Sequence, residues 1–184
     1  MKQTIVVIGA GGHGKVIADS IIAEDKYDLS GFVDASLEVG TEIINGYTVI
    51  EKQDNIQALI GKIDAYVIAV GNNVIRKKID QIAVLHLSRA TIIHPSAKVG
   101  SDVMIGSGTV VLANAVVNAS SEIGINTIVN AGVIVDHDCL IGDYVHLSIG
   151  TMVGSNSVIE KGHTTSIGQS IQSFTKIINS DGNF

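Results

Sequence analysis

The chain has 184 residues, 46% of them hydrophobic, with a mean hydropathy of +0.38, which is ample for one large or two small buried cores and excludes disorder over most of its length. Its 12 Lys and Arg against 18 Asp and Glu leave a net charge of -6, which argues against a general nucleic-acid surface. No apolar run approaches the ~20 residues of a membrane span, and MKQTIVVIGAGG moves straight into a strand and glycine turn without the layout of a secretory leader, so a cytoplasmic protein is expected.

The first expected element is a buried parallel strand at residues 4–8 (TIVVI). Gly9-Ala10-Gly11-Gly12-His13-Gly14-Lys15 follows, then an apolar-periodic helix containing Val16, Ile17, Ile21 and Ile22. The glycines fit G-x-G-x-x-G, whose backbone N–H groups and helix N-terminus cradle a diphosphate. A second strand, residues 29–33, ends at Asp34, where a carboxylate can accept from a ribose hydroxyl or a base. Alone, this is a dinucleotide fingerprint and would suggest a nicotinamide or flavin enzyme. Only about 90 residues precede the next domain, room for one half of a doubly wound sheet, so a mononucleotide half-site fits better.

Further strands are expected at residues 47–50 and 65–70, and a helix around 73–85. Gly71 and Asn72 place small and polar groups at the carboxyl edge of the sheet, where ligands of open α/β sheets bind; an ordinary strand-to-helix turn is the alternative. Lys15 and the run Arg76-Lys77-Lys78 are basic spots able to receive a phosphate. The boundary falls near residue 90.

From Ile93 an aliphatic residue returns at every sixth position: Val99, Ile105, Val111, Val117, Ile123, Val129, Val135, Ile141, Leu147, Val153 and Ile159. Four residues after each stands a small or short side chain, from Ala97 to Ser157, so each hexapeptide offers one large and one small inward site. Gly100, Gly106, Gly124, Gly142 and Gly154 suit tight corners. This pattern predicts a hexapeptide-repeat parallel β-helix, with residues 93–164 forming four 18-residue coils about 19 Å tall at roughly 4.8 Å per coil. At Thr165 the register fails, with Ile167-Gly168 as a shifted echo and His163 in a small inward slot, so residues 165–184 are expected to be an irregular or truncated cap. The expected organisation is thus an α/β domain over 1–90, an all-β domain over 91–164, and that cap.

Most outward positions of the repeat are small or polar, so Asp136-His137-Asp138, with His146 nine residues on, stands out. His137 lies two residues after inward Val135, hence outside the core, and a histidine between carboxylates can be held in one tautomer as a general base. A decorative surface histidine is the bland alternative. His146 belongs to another side of the prism, so the two histidines can share a cleft only across subunits. Metal binding is disfavoured, because three successive residues do not converge on one ion and no HExxH-type spacing occurs. No G-x-S-x-G elbow supports a serine hydrolase. Cys139 occupies a small inward site and is read as structural.

GAGGHGK at 9–15, FVDA at 32–35, AVGNN at 69–73 with Arg76, IHPSAKVG at 93–100 and DHDCLIGDYVHLSIG at 136–150 resemble the bacterial sugar acetyltransferases of the hexapeptide superfamily. The branch concerned joins a small Rossmann-like parallel-sheet N-domain to a left-handed β-helix. It includes sialic-acid O-acetyltransferases and N-acetyltransferases of nucleotide-linked 4-amino-4,6-dideoxy sugars, such as the bacillosamine pathway enzyme. The resemblance implies a homotrimer in surface glycan biosynthesis, with acetyl-CoA as co-substrate in the groove between neighbouring β-helices and no metal. His137 matches the general base and Asp138 the acidic residue that orients it. His146 matches the histidine near the thioester, and Gly154 a position along the pantetheine. Gly11, Gly12, His13 and Asp34 match the nucleotide-sugar pocket, with Gly71 and Asn72 beside it. The family's further hexapeptides and VGxPA-like tail are not recognisable after Thr165. The alternatives are O-acetylation of a sialic-acid-type sugar and a non-catalytic trimeric scaffold that binds nucleotide sugar.

Overall fold

Ile5, Val6, Val7 and Ile8 form a continuous apolar run, and all four are fully buried, as a parallel strand covered on both faces requires. In the computed structural model, which describes residues 2–178, they belong to β1 (Gln3–Ile8), at the centre of a six-stranded sheet. The chain continues through α1 (Gly12–Glu24), β2 (Tyr27–Asp34), β3 (Glu42–Ile44), β4 (Tyr47–Lys52), a 3-10 helix (Gln53–Leu59), β5 (Ala65–Ile68), α2 (Asn73–Ala83) and β6 (Ser88–Arg89). The strand order is β3-β4-β2-β1-β5-β6, and only the β3–β4 pair is antiparallel. Strand order reverses between β1 and β5, which creates the crevice where open α/β sheets bind ligands. The contacts divide the chain into two units between Ile92 and Ile93, two residues beyond the expected boundary.

One face of the sheet packs Val6, Ile8, Val33, Tyr66 and Ile68 with Ile56 and Leu59 of the 3-10 helix and Ile79 and Ala83 of α2. Gly14 lets α1 start hard against the end of β1, since a Cβ there would lie 2.3 Å from the Gly9 carbonyl oxygen. Beneath α2, the buried Asp80 carboxylate accepts from the Tyr66 hydroxyl at 2.5 Å and from Arg89 Nε and Nη2, both at 2.8 Å. Burial and that neighbouring carboxylate push the Tyr66 phenol far above its ordinary range.

In the second unit the two inward sites of each hexapeptide build the core. Val111, Val117, Ile123, Val129, Val135, Ile141, Leu147, Val153 and Ile159 are buried, as are Thr109, Ala115, Ser121, Thr127, Val133, Cys139, Val145, Thr151 and Ser157. Parallel strands stack at an offset of one coil, as in Val110↔Ile128, Val116↔Ile134 and Glu122↔Leu140, and give the prism three sides. Buried hydroxyls would be costly unless satisfied, and the repeat satisfies them. Thr109, Ser121 and Thr127 donate to the carbonyls of Gly124, Asp136 and Gly142 at 2.6, 2.7 and 2.9 Å. The same oxygens accept the N–H of the stacked residues Thr127, Cys139 and Val145.

The corners differ from the glycine turns expected. From Asp102 to Phe174 every sixth residue takes a positive φ, and most of these residues are not glycine. Glycine is needed instead where coils approach: a Cβ on Gly142 would lie 2.5 Å from Lys161 N, and one on Gly154 2.5 Å from Ser173 N.

The expected irregular cap from residue 165 is corrected by the structure. Ser170–Ile171 and Lys176–Ile177 continue two sides as a fifth rung, in the register Met152↔Ser170 and Val158↔Lys176, and Thr164 bridges His146 on the third. Thr165 fills the large inward site at 3% exposure. Its Oγ1 accepts the Ser148 N–H at 2.8 Å and lies 2.7 Å from Thr151 Oγ1. A polar residue thus sits in the aliphatic slot with its hydroxyl satisfied, and Ile171 restores the pattern six residues on. Residues 179–184 of the expected cap lie outside the described residues.

Candidate active site

His137 stands in the corner after the Ile134–Val135 strand. Its ring Nδ1 lies 2.6 Å from Asp138 Oδ2, and both side chains are about half exposed. Asp138 takes φ 56°, a left-handed conformation that Asp tolerates better than most residues, and this turn swings its carboxylate back to the preceding imidazole. With Nδ1–H donated to Asp138, the neutral ring carries its lone pair on Nε2. The hydrogen bond donated to Asp138, opposed by desolvation and aided by the charges of Asp136 and Asp138, raises the His137 pKa. Asp136 is held ionised by the His137 backbone N–H and the Asn118 side chain. Neither asparagine partner in this wall, Asn118 or Asn130, was legible in the sequence, since each reaches its partner from an adjacent coil.

His146 lies on a different side of the prism, in the strand His146–Leu147, with Nε2 3.3 Å from Asn130 Nδ2. One prism therefore does not bring His137 and His146 onto the same side. Gly154 occupies the corner one coil beyond Asp136, and accepts from Cys139 Sγ at 3.3 Å. Coil stacking alone accounts for glycine at this position. Cys139 is buried, and burial raises its thiol pKa, opposite to what a nucleophile requires. The side following the His137 corner carries an open groove of about 480 Å³ along Met104, Glu122, Leu140 and Val158, floored by Gly106, Gly124 and Gly142.

In the first unit the carboxyl ends of β1, β2 and β5 bring the two loops together. Gly9, at φ 107°, sits so close to β5 that a Cβ would lie 2.9 Å from the Ala69 oxygen. At Gly11, which caps α1, and Gly12, its first residue, an added Cβ would meet nothing within 4 Å. Packing does not require glycine there. His13 follows, half-buried, in the first turn of α1.

Asp34 serves a different purpose from the one expected. Its Oδ2 accepts the Ala10 N–H at 2.9 Å, while Oδ1 accepts from Ser36 N, Ser36 Oγ and Leu37 N. Desolvation opposes its ionisation, but these donors prevail and lower its pKa. Asp34 therefore braces the glycine loop, with little acceptor capacity left for a ribose. Asn72 Oδ1 caps α2 by accepting the Ile75 N–H. Arg76 is 1% exposed, and its guanidinium clasps the carbonyls of Val70 and Gly71 and the Asn73 side chain, so it is a loop clamp and no surface phosphate receptor. A cavity of about 420 Å³ adjoins Asp34, lined by Ala35, Gln53, Asp54, Ile56, Ile79, Ile82 and Ala83.

Residues 4–82 match the PglD N-terminal domain family. The structure is similar to the acetyltransferase domain of PglB from Neisseria gonorrhoeae FA1090 in complex with acetyl coenzyme A, at 33% identity and a TM-score of 0.74, covering 96% of each chain. The chain belongs to the bacterial sugar N-acetyltransferase family. Another member is perosamine N-acetyltransferase from Caulobacter crescentus, solved as a histidine-to-asparagine variant in complex with CoA and GDP-perosamine. It shows 31% identity and a TM-score of 0.75, over 94% of this chain and 84% of that one. A curated relative, UDP-N-acetylbacillosamine N-acetyltransferase from Bacillus subtilis (strain 168), is 37% identical over 113 residues. This match takes in 60% of the present chain and spans about half the length of the relative (52%). Among the described residues no group of three or more His, Cys, Asp or Glu side chains is placed to hold a metal ion, and no helix is long and apolar enough to cross a membrane.

Proposed function

We propose that the protein is an acetyl-CoA-dependent N-acetyltransferase acting on a nucleotide-linked 4-amino-4,6-dideoxy sugar in glycan biosynthesis. The observation that carries this reading is the His137–Asp138 pair at 2.6 Å, which leaves Nε2 as the proton acceptor on an exposed corner of the β-helix. Nε2 takes a proton from the acceptor amine as the nitrogen attacks the thioester carbonyl, the C–S bond breaks, and the proton passes to the departing CoA thiolate. Holding amine and thioester together supplies much of the acceleration, and general-base help of this kind adds typically ~10²- to 10⁴-fold. Cys139 takes no part, so transfer is direct.

The start of α1 at Gly11 and Gly12 suits the diphosphate, His13 reaches toward phosphate or sugar, and the cavity beside Ala35 accepts the nucleobase. Gly71 and Asn72 shape the opposite lip of that crevice. Acetyl-CoA runs along the coils past Gly154, with its thioester near a His146. Because His137 and His146 occupy different sides of one prism, a complete site takes one histidine from each of two subunits of a cytoplasmic homotrimer. Relatives solved with CoA, acetyl-CoA and GDP-perosamine support the choice of both substrates.

The test is release of CoA thiol from acetyl-CoA across UDP-, dTDP- and GDP-linked 4-amino sugars and free sialic acid. Thiol release with a nucleotide-linked amino sugar, and none with sialic acid, is expected. Binding of nucleotide sugar without thiol release from any acceptor would overturn the reading in favour of a scaffold.

A further inference from the structure

We propose that Asp136 is a positioning residue for His137: tied through side chain and main chain to three successive coils, it fixes the corner from which the imidazole projects, and its carboxylate holds a second negative charge against the ring. Asp136 Oδ1 accepts the His137 backbone N–H at 2.9 Å and Asn118 Nδ2, one coil before, at 3.1 Å. The backbone N–H of Ser155, one coil after, adds a smaller stabilisation of the ionised carboxylate. The Asp136 main chain is equally anchored, its N–H donating to Val153 O and its carbonyl accepting from Ser121 Oγ at 2.7 Å. Equivalent corners of neighbouring coils carry Gly100, Asn118 and Gly154, so the carboxylate is peculiar to the coil that bears His137.

The charges that face His137 within this unit come from its own corner. The adjacent corners offer Ala119 and Ser120 on one side and Ser155 and Asn156 on the other, none of them ionisable, and Asn156 N–H donates to the His137 carbonyl at 3.1 Å. Asp138 orients Nδ1, and Asp136 supplies the remaining carboxylate. Its lowered pKa keeps it charged wherever His137 titrates, and its charge is among the causes that raise the histidine.

This assignment rests on His137 being the base, and the experiment separates the two claims. Asp136→Asn removes the charge but keeps Oδ1 as the acceptor for both the His137 N–H and Asn118 Nδ2. His137 is titrated by NMR in protein labelled at histidine, beside kcat against pH, KM for acetyl-CoA and Tm. The expected result is a His137 midpoint moved to lower pH, an acid limb of kcat moved with it, and an unchanged KM. Asp136→Ala, which also frees the corner, should lose about tenfold in plateau kcat. An unmoved midpoint overturns the proposal whatever the activity. A moved midpoint with a stationary limb overturns the general-base reading while the coupling of Asp136 to His137 stands. If Asp136→Asn folds poorly, the double variant Asn118→Asp, Asp136→Asn restores a complementary pair with its charge one coil away. It should regain Tm and keep the lowered midpoint; recovery of the wild-type midpoint would refute a role for charge at position 136.

Discussion

Thr165→Val tests why the fifth coil holds its register, and with it the support beneath His146. The substitution offers the large inward slot the aliphatic residue that the repeat uses elsewhere, so a reading from pattern alone predicts a more stable protein. The structure predicts the reverse. Thr165 Oγ1 is the acceptor for the buried Ser148 N–H and the partner of Thr151 Oγ1, which retains Ser148 O at 2.8 Å. Valine leaves one buried donor unsatisfied, a cost of about 1–3 kcal/mol, offset by roughly 0.8 kcal/mol for the added buried methyl. The net is about 0.2–2 kcal/mol of destabilisation, or up to roughly 8 °C in Tm for a chain of this size. Thermal and urea unfolding followed by circular dichroism measures it, and hydrogen exchange should show lost protection at Ser148. A Tm equal to or above wild type, with Ser148 still protected, would refute the reasoning.

Cys139→Ser should fold and keep turnover within about twofold, because Ser121 and Ser157 already serve in the same slot one coil away and donate to Asp136 O and Gln172 O; loss of most activity would revive a thiol nucleophile. Asp80→Ala strips the Tyr66 hydroxyl and Arg89 of their shared carboxylate and should cost about 3 kcal/mol, the lower end for a broken buried pair because Arg89 retains 23% exposure; unfolding within 1 kcal/mol of wild type would contradict this. The pH profile follows from the raised His137 pKa: the base works only when neutral, so kcat should fall on the acid side with its limb above the ordinary imidazole range, and Asp138→Asn should move that limb to lower pH. A limb that ignores Asp138 would show that the pair does not carry the proton.

The repeat was legible because its core is built from period alone. Each aliphatic position from Val111 to Ile159 is buried, and the small site four residues on faces the same interior. The glycine loop was legible because a strand, a close turn and a helix leave few alternatives for Gly9 and Gly14. What failed were inferences from residue type where a partner distant in sequence decides the role. Thr165 looked like a break because its hydroxyl is satisfied by Ser148 and Thr151, which composition cannot show. Arg76 looked like a phosphate receptor, yet it is consumed by the carbonyls of its own loop. Asp34 looked like a ribose ligand and proved to be the acceptor that closes the Ala10 turn. Around the candidate base, Asp138 could be read from adjacency, whereas Asn118 acts from 18 residues away and needs the coil to bring it near.

The central claim is that His137 is the general base of a direct acetyl transfer. Its most direct test is kcat for CoA-thiol release by His137→Ala, with the oligomeric state checked by light scattering. A loss of at least about 100-fold with assembly and acetyl-CoA affinity intact is expected; turnover within a few-fold of wild type would contradict the account.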